Sequence, residues 1–223
     1  MDLMFISGGS AAHAHISVHS TDKNIPSSIH TNLSKVESAF LAGLLQNLPG
    51  ITLLGLPTTA SFRRMVDGVW SGGTYVCWGT DNREAPVRLC NASSPPSRNI
   101  ELKCLDGTAN PYLAIAGFLS AGMEGILEGK ECEIKDCGDE VAAVLEEPGR
   151  NELGIMNRMP LTWEDARSSF EKSELVDRIF GKDFKTKYLS VNKVCNSLSS
   201  FHDSQYKFMV ADSGRADDRW SSG

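Results

Sequence analysis

Residues Ala12 to His19 alternate strictly: Ala12, Ala14, Ile16 and Val18 point one way, and His13, His15, Ser17 and His19 the other. That period predicts a strand with one apolar face and one chemical face. Val36, Phe40, Leu41, Leu44, Leu45 and Leu48 then recur at helical spacing, and Pro49-Gly50 is expected to end an amphipathic helix there. Thr74 to Thr80 and Ala85 to Cys90 are rich in β-branched, aromatic and apolar residues and flank Asp81-Asn82, so they read as neighbouring strands. In the second, Val87 and Leu89 face opposite to Arg88. From Asn99 to Cys104 the alternation returns, with Ile100, Leu102 and Cys104 on the core side and Asn99, Glu101 and Lys103 on the other. Two strands thus place charged groups on one surface.

The second half of the chain reads as helical. Asn110 before Pro111 is an N-cap with proline at the first helical position, and Leu113, Ala116, Phe118, Ala121, Met123, Ile126 and Leu127 supply an apolar stripe. Thr162, with Asp165 three residues on, resembles a capping box for a helix to about Phe180, and Phe184 to about Ser199 reads as another. Strands followed by helices favour an α+β layer architecture over a βαβ series.

Length and composition narrow the picture. The 223 residues suit one folded unit. The closing ADSGRADDRWSSG has too little apolar surface to offset its ordering entropy, so a unit over 1–201 with a disordered tail over 202–223 is expected. A net charge of −6 offers no cationic surface for nucleic acid. No run of about 18 apolar residues occurs and the first residues carry no basic n-region, so neither a membrane nor a secretory route is expected. The six cysteines form no CxxC pair, the usage of a reducing compartment, which points to a cytoplasmic protein with thiols as core filler. Cys132 and Cys137 are the only close pair, and their spacing fits no strong zinc pattern.

The candidate chemistry lies on the polar strand faces. His13 and His15 on one strand face can approach one ion or one polyphosphate, or can be hydrogen-bonded histidines of a half-buried strand. Glu101 is a lone strand carboxylate. Arg64, Arg83 and Arg88 carry forks that suit phosphate and carboxylate, so several between strands argue for an anionic ligand.

Order and spacing add to these residues. GSAAHAHIS (Gly9 to Ser17), FLAGLLQNLP (Phe40 to Pro49), PTTASFRRMV (Pro57 to Val66), DNREAPVRL (Asp81 to Leu89), IELKCLDGTANPYLAIAGFLSAGMEGI (Ile100 to Ile126) and MPLTWEDA (Met159 to Ala166) together resemble the catalytic domain of glutamine synthetase, over about residues 8 to 200. VWSGGTYVCWGTDNREAPVR looks more like the fungal FluG-type branch than like the primary nitrogen-assimilating enzymes. The resemblance implies an α+β catalytic domain of the glutamine synthetase/guanido kinase type, an antiparallel sheet packed with helices and incomplete at its N-terminus. It implies ATP with Mg2+ or Mn2+ as cofactors, and glutamate with ammonia or an amine as substrates. The γ-phosphate moves to the glutamate side-chain carboxylate, and the amine displaces it.

By the same resemblance His13 and Glu101 hold the metal, and His15 and Ser17 contact ATP. Arg83 and Arg88 face the nucleotide phosphates as catalytic groups. Arg64 is both catalytic and a clamp for the amino-acid carboxylate, and Gly9 and Lys103 complete the substrate site. Full-length members form ring homo-oligomers with sites between subunits.

Several positions depart from the family pattern. Gly8 stands where an asparagine is usual, Ala11-Ala12 replace Gly-Met, Asn99 replaces an arginine beside ATP, and Lys103 replaces an arginine on the substrate carboxylate, keeping charge but losing the fork. Trp70 and Ser71 occupy the place of a flap glutamate that helps deprotonate ammonium. The segments carrying most metal-binding glutamates are expected before Gly8, so metal affinity without nucleotide should be weak. The alternative that follows is a catalytically inactive binding or signalling protein, or a truncated gene product. A metal-dependent amidohydrolase, which also opens on H-x-H, needs a barrel of roughly 250 residues with later histidine and aspartate ligands. His19, His30 and His202 do not supply them.

Overall fold

A computed structural model describes residues 11–20, 25–68 and 72–198. The expected tail over 202–223, Gly8, Gly9, Trp70 and Ser71 lie outside the described residues.

The histidine-bearing segment is strand β1 (Ala11–Ile16), and its alternation is visible in its burial, with Ala14 inside and His13 and His15 exposed. It pairs antiparallel with β4 (Asn99–Asp106) in a four-stranded sheet of order β1-β4-β3-β2. The register slips between Ala12 and Ala14, which face Leu105 and Leu102, so a bulge in β4 lies opposite His13. β3 (Val87–Cys90) pairs antiparallel with β4, placing Arg88 directly opposite Glu101.

β2 (Trp78–Thr80) runs parallel to β3, so the sheet is mixed rather than antiparallel throughout. Parallel neighbours usually need a long crossover; here the short return 81–86 is folded around one side chain. Asp81 takes a left-handed φ of 53°, and the buried Asn82 accepts from the amides of Glu84 and Ala85 while donating to the carbonyls of Gly138 and Glu140. Of the Thr74 to Thr80 stretch, only Trp78–Thr80 joins the sheet; Tyr75 forms an isolated bridge with Arg158.

Helix α1 (Lys35–Gly55) begins at a capping box between Ser34 and Glu37 and continues through Pro49 instead of stopping there. Proline costs one amide hydrogen bond, but Leu48, Ile51 and Leu53 around it are wholly buried, and burial of such residues outweighs that cost. A stretch of 18 residues in α1 with a mean hydropathy of 1.2 would suit a membrane span, yet most of α1 is buried inside the core.

α1 packs against α3 (Pro111–Leu127) through small residues. A Cβ on Gly43 would stand 2.3 Å from the Ala121 carbonyl oxygen, and one on Gly125 would stand 2.0 Å from that of Ala39. The α3 face turned inward is therefore Ala114, Gly117, Phe118, Ala121, Gly122 and Gly125, while Met123 and Leu127 from the expected stripe stay exposed. Close backbone approach, rather than side-chain size, selects the contact face. After α2 (Thr59–Phe62) and α4 (Glu147–Glu152), the helix expected to reach Phe180 is divided. Ser173 ends α5 (Trp163–Lys172) and caps α6 (Glu174–Phe180) by accepting from Val176 N. A last helix, α7, covers 182–198.

Candidate functional site

Parity along β1, β3 and β4 brings three of the candidate residues into contact. Glu101 is 4% exposed, and burying a carboxylate without partners is costly. Its Oε1 accepts from His13 Nδ1 at 2.6 Å and its Oε2 from Arg88 Nη1 at 3.2 Å. The Cys90 thiol reaches the same Oε2 at 3.7 Å. Arg88 also donates from Nη2 to Asp81 Oδ1 at 3.3 Å, while its buried Nε finds no hydrogen-bond partner among the described residues. The guanidinium thus retains a donor with no acceptor among the described residues.

Lys103 extends this face. It is 4% exposed, and burial pushes its ammonium below the usual lysine range despite the nearby Glu101 carboxylate. His15 lies one turn of the alternation beyond His13, and its Nδ1 meets Asn99 Oδ1 at 2.8 Å. At the strand end, Ser17 donates from Oγ to the Arg98 carbonyl at 3.2 Å. Arg98 is itself fixed from behind: its Nη1 lies 2.8 Å from Glu37 Oε2, and its Nε and Nη2 donate to the Ala92 carbonyl.

Arg64 approaches from α2 and donates from Nη2 to the Leu105 carbonyl at 2.6 Å, opposite Ala12 in the β1–β4 register. Arg83 is exposed on the 81–86 return and forms no ion pair in the Glu101 cluster. His13, Glu101, Arg88 and Lys103 therefore form one group, with His15 and Ser17 along its β1 side, Arg64 at the far end of β4 and Arg83 outside it.

The contacts of Asp81, Cys90 and Asn99 were not anticipated. For Cys90 the signal was present, since it shares strand parity with Arg88. Asp81 reaches the site only because of its left-handed turn, which the sequence does not display.

As a metal site the group is partial. Once the Nδ1–H to Oε1 hydrogen bond is given up, this nitrogen and oxygen, 2.6 Å apart, can touch one ion, and the carboxylate suits Mn2+ or Mg2+. Among the described residues no three His, Cys, Asp or Glu side chains are disposed around a common ion. His13 and Glu101 fit two positions of such a cation, with phosphate oxygens and water suited to the rest.

Comparison with known proteins follows the same lines. The family model for the glutamine synthetase catalytic domain matches residues 3–207. Protein fluG of Emericella nidulans is 37% identical over 185 residues, covering 83% of this chain and 19% of fluG. Type-1 glutamine synthetase 1 of Dictyostelium discoideum is 32% identical over 205 residues, covering 86% of this chain and 38% of that protein. Among solved structures, a GmaS/ADP complex superposes with a TM-score of 0.63 at 24% identity, over 87% of this chain and 44% of that one. That superposition establishes the fold, and the chain spans less than half the length of each of these relatives.

Proposed function

The chain belongs to the glutamine synthetase family through its catalytic domain, and on that premise we propose that it forms part of an ATP-dependent ligase joining an amine to the γ-carboxylate of glutamate. The reaction has two stages. The γ-phosphoryl group of ATP passes to the glutamate side chain, giving γ-glutamyl phosphate, and ammonia or another amine displaces the phosphate to form the amide. Transfer of this kind depends on positioning and charge neutralisation more than on covalent chemistry by the protein.

The observation that carries the reading is the buried Glu101 carboxylate held between His13 and Arg88 on one face of the sheet. His13 and Glu101 would hold Mg2+ or Mn2+, which when bound neutralises phosphate charge. Arg88 directs its guanidinium at the phosphates. Arg83, exposed on the adjoining return, adds a second cation as the ligand enters. His15 and Ser17 contact the nucleotide further along β1. Arg64, Lys103 and Gly9 receive the amino-acid substrate, the two cations pairing with its carboxylate.

A coupled assay of ADP release tests this, using glutamate with ammonium and a series of primary amines. It should be run on the chain alone and on the chain joined to the upstream part of a relative's catalytic domain. Glutamate-dependent ADP release by the joined protein is expected, and its absence with every amine would overturn the ligase assignment.

A further inference from the structure

Asp81 has a φ of 53°, a left-handed conformation that side chains adopt at some cost, aspartate less than most. The turn around it enforces that conformation. Asp81 N donates to the Leu89 carbonyl at 2.9 Å, and the next residue, Asn82, is buried and donates to the carbonyls of Gly138 and Glu140. The Asp81 carboxylate is thereby set 3.3 Å from Arg88 Nη2, with 61% of its side chain exposed. Arg88 meets the buried Glu101 through its other terminal nitrogen, so two carboxylates share one guanidinium and the outer of the two faces solvent. An ion pair so open adds little to stability, and a strained backbone kept for a weak contact points to a role at the site.

A carboxylate beside an anion-binding arginine opposes every incoming anion, in proportion to the charge that anion carries. Free ATP carries about four negative charges at neutral pH, and its Mg2+ complex about two. Resting on the nucleotide reading above, we propose that Asp81 is a specificity-determining residue, an anionic screen over Arg88 that disfavours free polyphosphate and so favours the nucleotide carried as its divalent-cation complex. Arg88 supplies the attraction, and Asp81 limits how much negative charge a ligand can bring to it. Asparagine at this position would keep an oxygen for Nη2 while removing the charge. Because the screen acts through solvent, salt weakens it.

Calorimetry on the intact chain, with ATP in EDTA and with ATP in excess Mg2+, tests the screen. Asp81→Asn is expected to tighten free ATP about fivefold and the Mg2+ complex about twofold, in line with their charges. Asp81→Gly suits the left-handed turn and removes both the charge and the acceptor, and it should show the same two gains. Raising the ionic strength to about 1 M should abolish the gains in both variants. A residue that only positioned Arg88 would behave otherwise, with Asp81→Gly weakening both forms of ATP, and that result would overturn the proposal. Equal changes for the two forms, or none, would overturn it while leaving the nucleotide reading intact. If neither wild type nor variants bind ATP in either form, the nucleotide reading itself falls and the screen falls with it.

Discussion

Arg98 Nη1 lies 2.8 Å from Glu37 Oε2, and both side chains are buried where the start of β4 crosses the start of α1. Glu37 is already engaged at the N-terminus of α1, accepting from Ser34 N and Oγ at 2.7 Å. One carboxylate therefore closes a helix cap and anchors the strand that carries Glu101 and Asn99. It also fixes the Arg98 carbonyl that Ser17 uses.

The first prediction concerns this pair. Removing one partner leaves the other charge buried, which costs about 3–5 kcal/mol. Arg98→Leu and Glu37→Leu are each expected to destabilise by about 3 kcal/mol in urea unfolding, with the double variant losing less than the sum. Strictly additive losses would show that the pair is not coupled.

The α1–α3 contact should tolerate no side chain. Gly43→Ala and Gly125→Ala place a methyl against main-chain oxygen at 2.3 Å and 2.0 Å, and neither helix can yield locally. Each is expected to cost about 2 kcal/mol or more. Gly149→Ala in α4 is the control, because its Cβ would meet only the Leu145 side chain at 3.8 Å. It should be neutral or stabilising by up to about 1 kcal/mol. Thermal melts of the three variants compare the contacts directly.

A pH dependence follows from Asp67. The Thr74 hydroxyl, and to a lesser degree Arg158 through a 2.6 Å ion pair, hold its carboxyl below the usual carboxylate range. The proton is bound more weakly in the folded chain than in the unfolded one. The contribution to stability is therefore full above the unfolded value of about 3.9 and is lost as pH falls through the lower folded value. Asp67→Asn should lower the melting temperature at about pH 7, by the equivalent of about 1 kcal/mol or less for so exposed a pair. The gap should shrink as pH falls below the unfolded value of about 3.9 and close below the lower folded one. A gap independent of pH would contradict the assignment.

How much was legible in the sequence follows from what each signal encodes. Period-two alternation located β1 and β4 and assigned His13 and Glu101 to one face, because side-chain parity is a local property of a strand. The capping signals at Asn110 and Thr162 were likewise local and correct. Pro49 misled because its intrinsic cost is overridden by burial of the residues around it. The parallel run of β2 and β3 was hidden because it depends on Asn82 reaching the carbonyls of Gly138 and Glu140, far along the chain. The α3 face was read in part, with Phe118 and Ala121 inside, and missed at Gly117, Gly122 and Gly125 because glycines contribute no hydrophobicity yet permit the closest packing. Within the site, Arg83 was grouped with Arg88 by shared motif, but its place on the 81–86 return leaves it exposed and outside the ion-pair cluster.

The central claim is that His13 and Glu101 present a cation site for a nucleotide complex. Mn2+ binding followed by electron paramagnetic resonance in the presence of ATP tests it most directly, comparing the wild-type chain with Glu101→Gln at matched folded content. Loss of a charged oxygen ligand is expected to weaken Mn2+ by about tenfold or more, as substitutions around metal ligands do. Equal Mn2+ affinity in the two proteins would contradict the account.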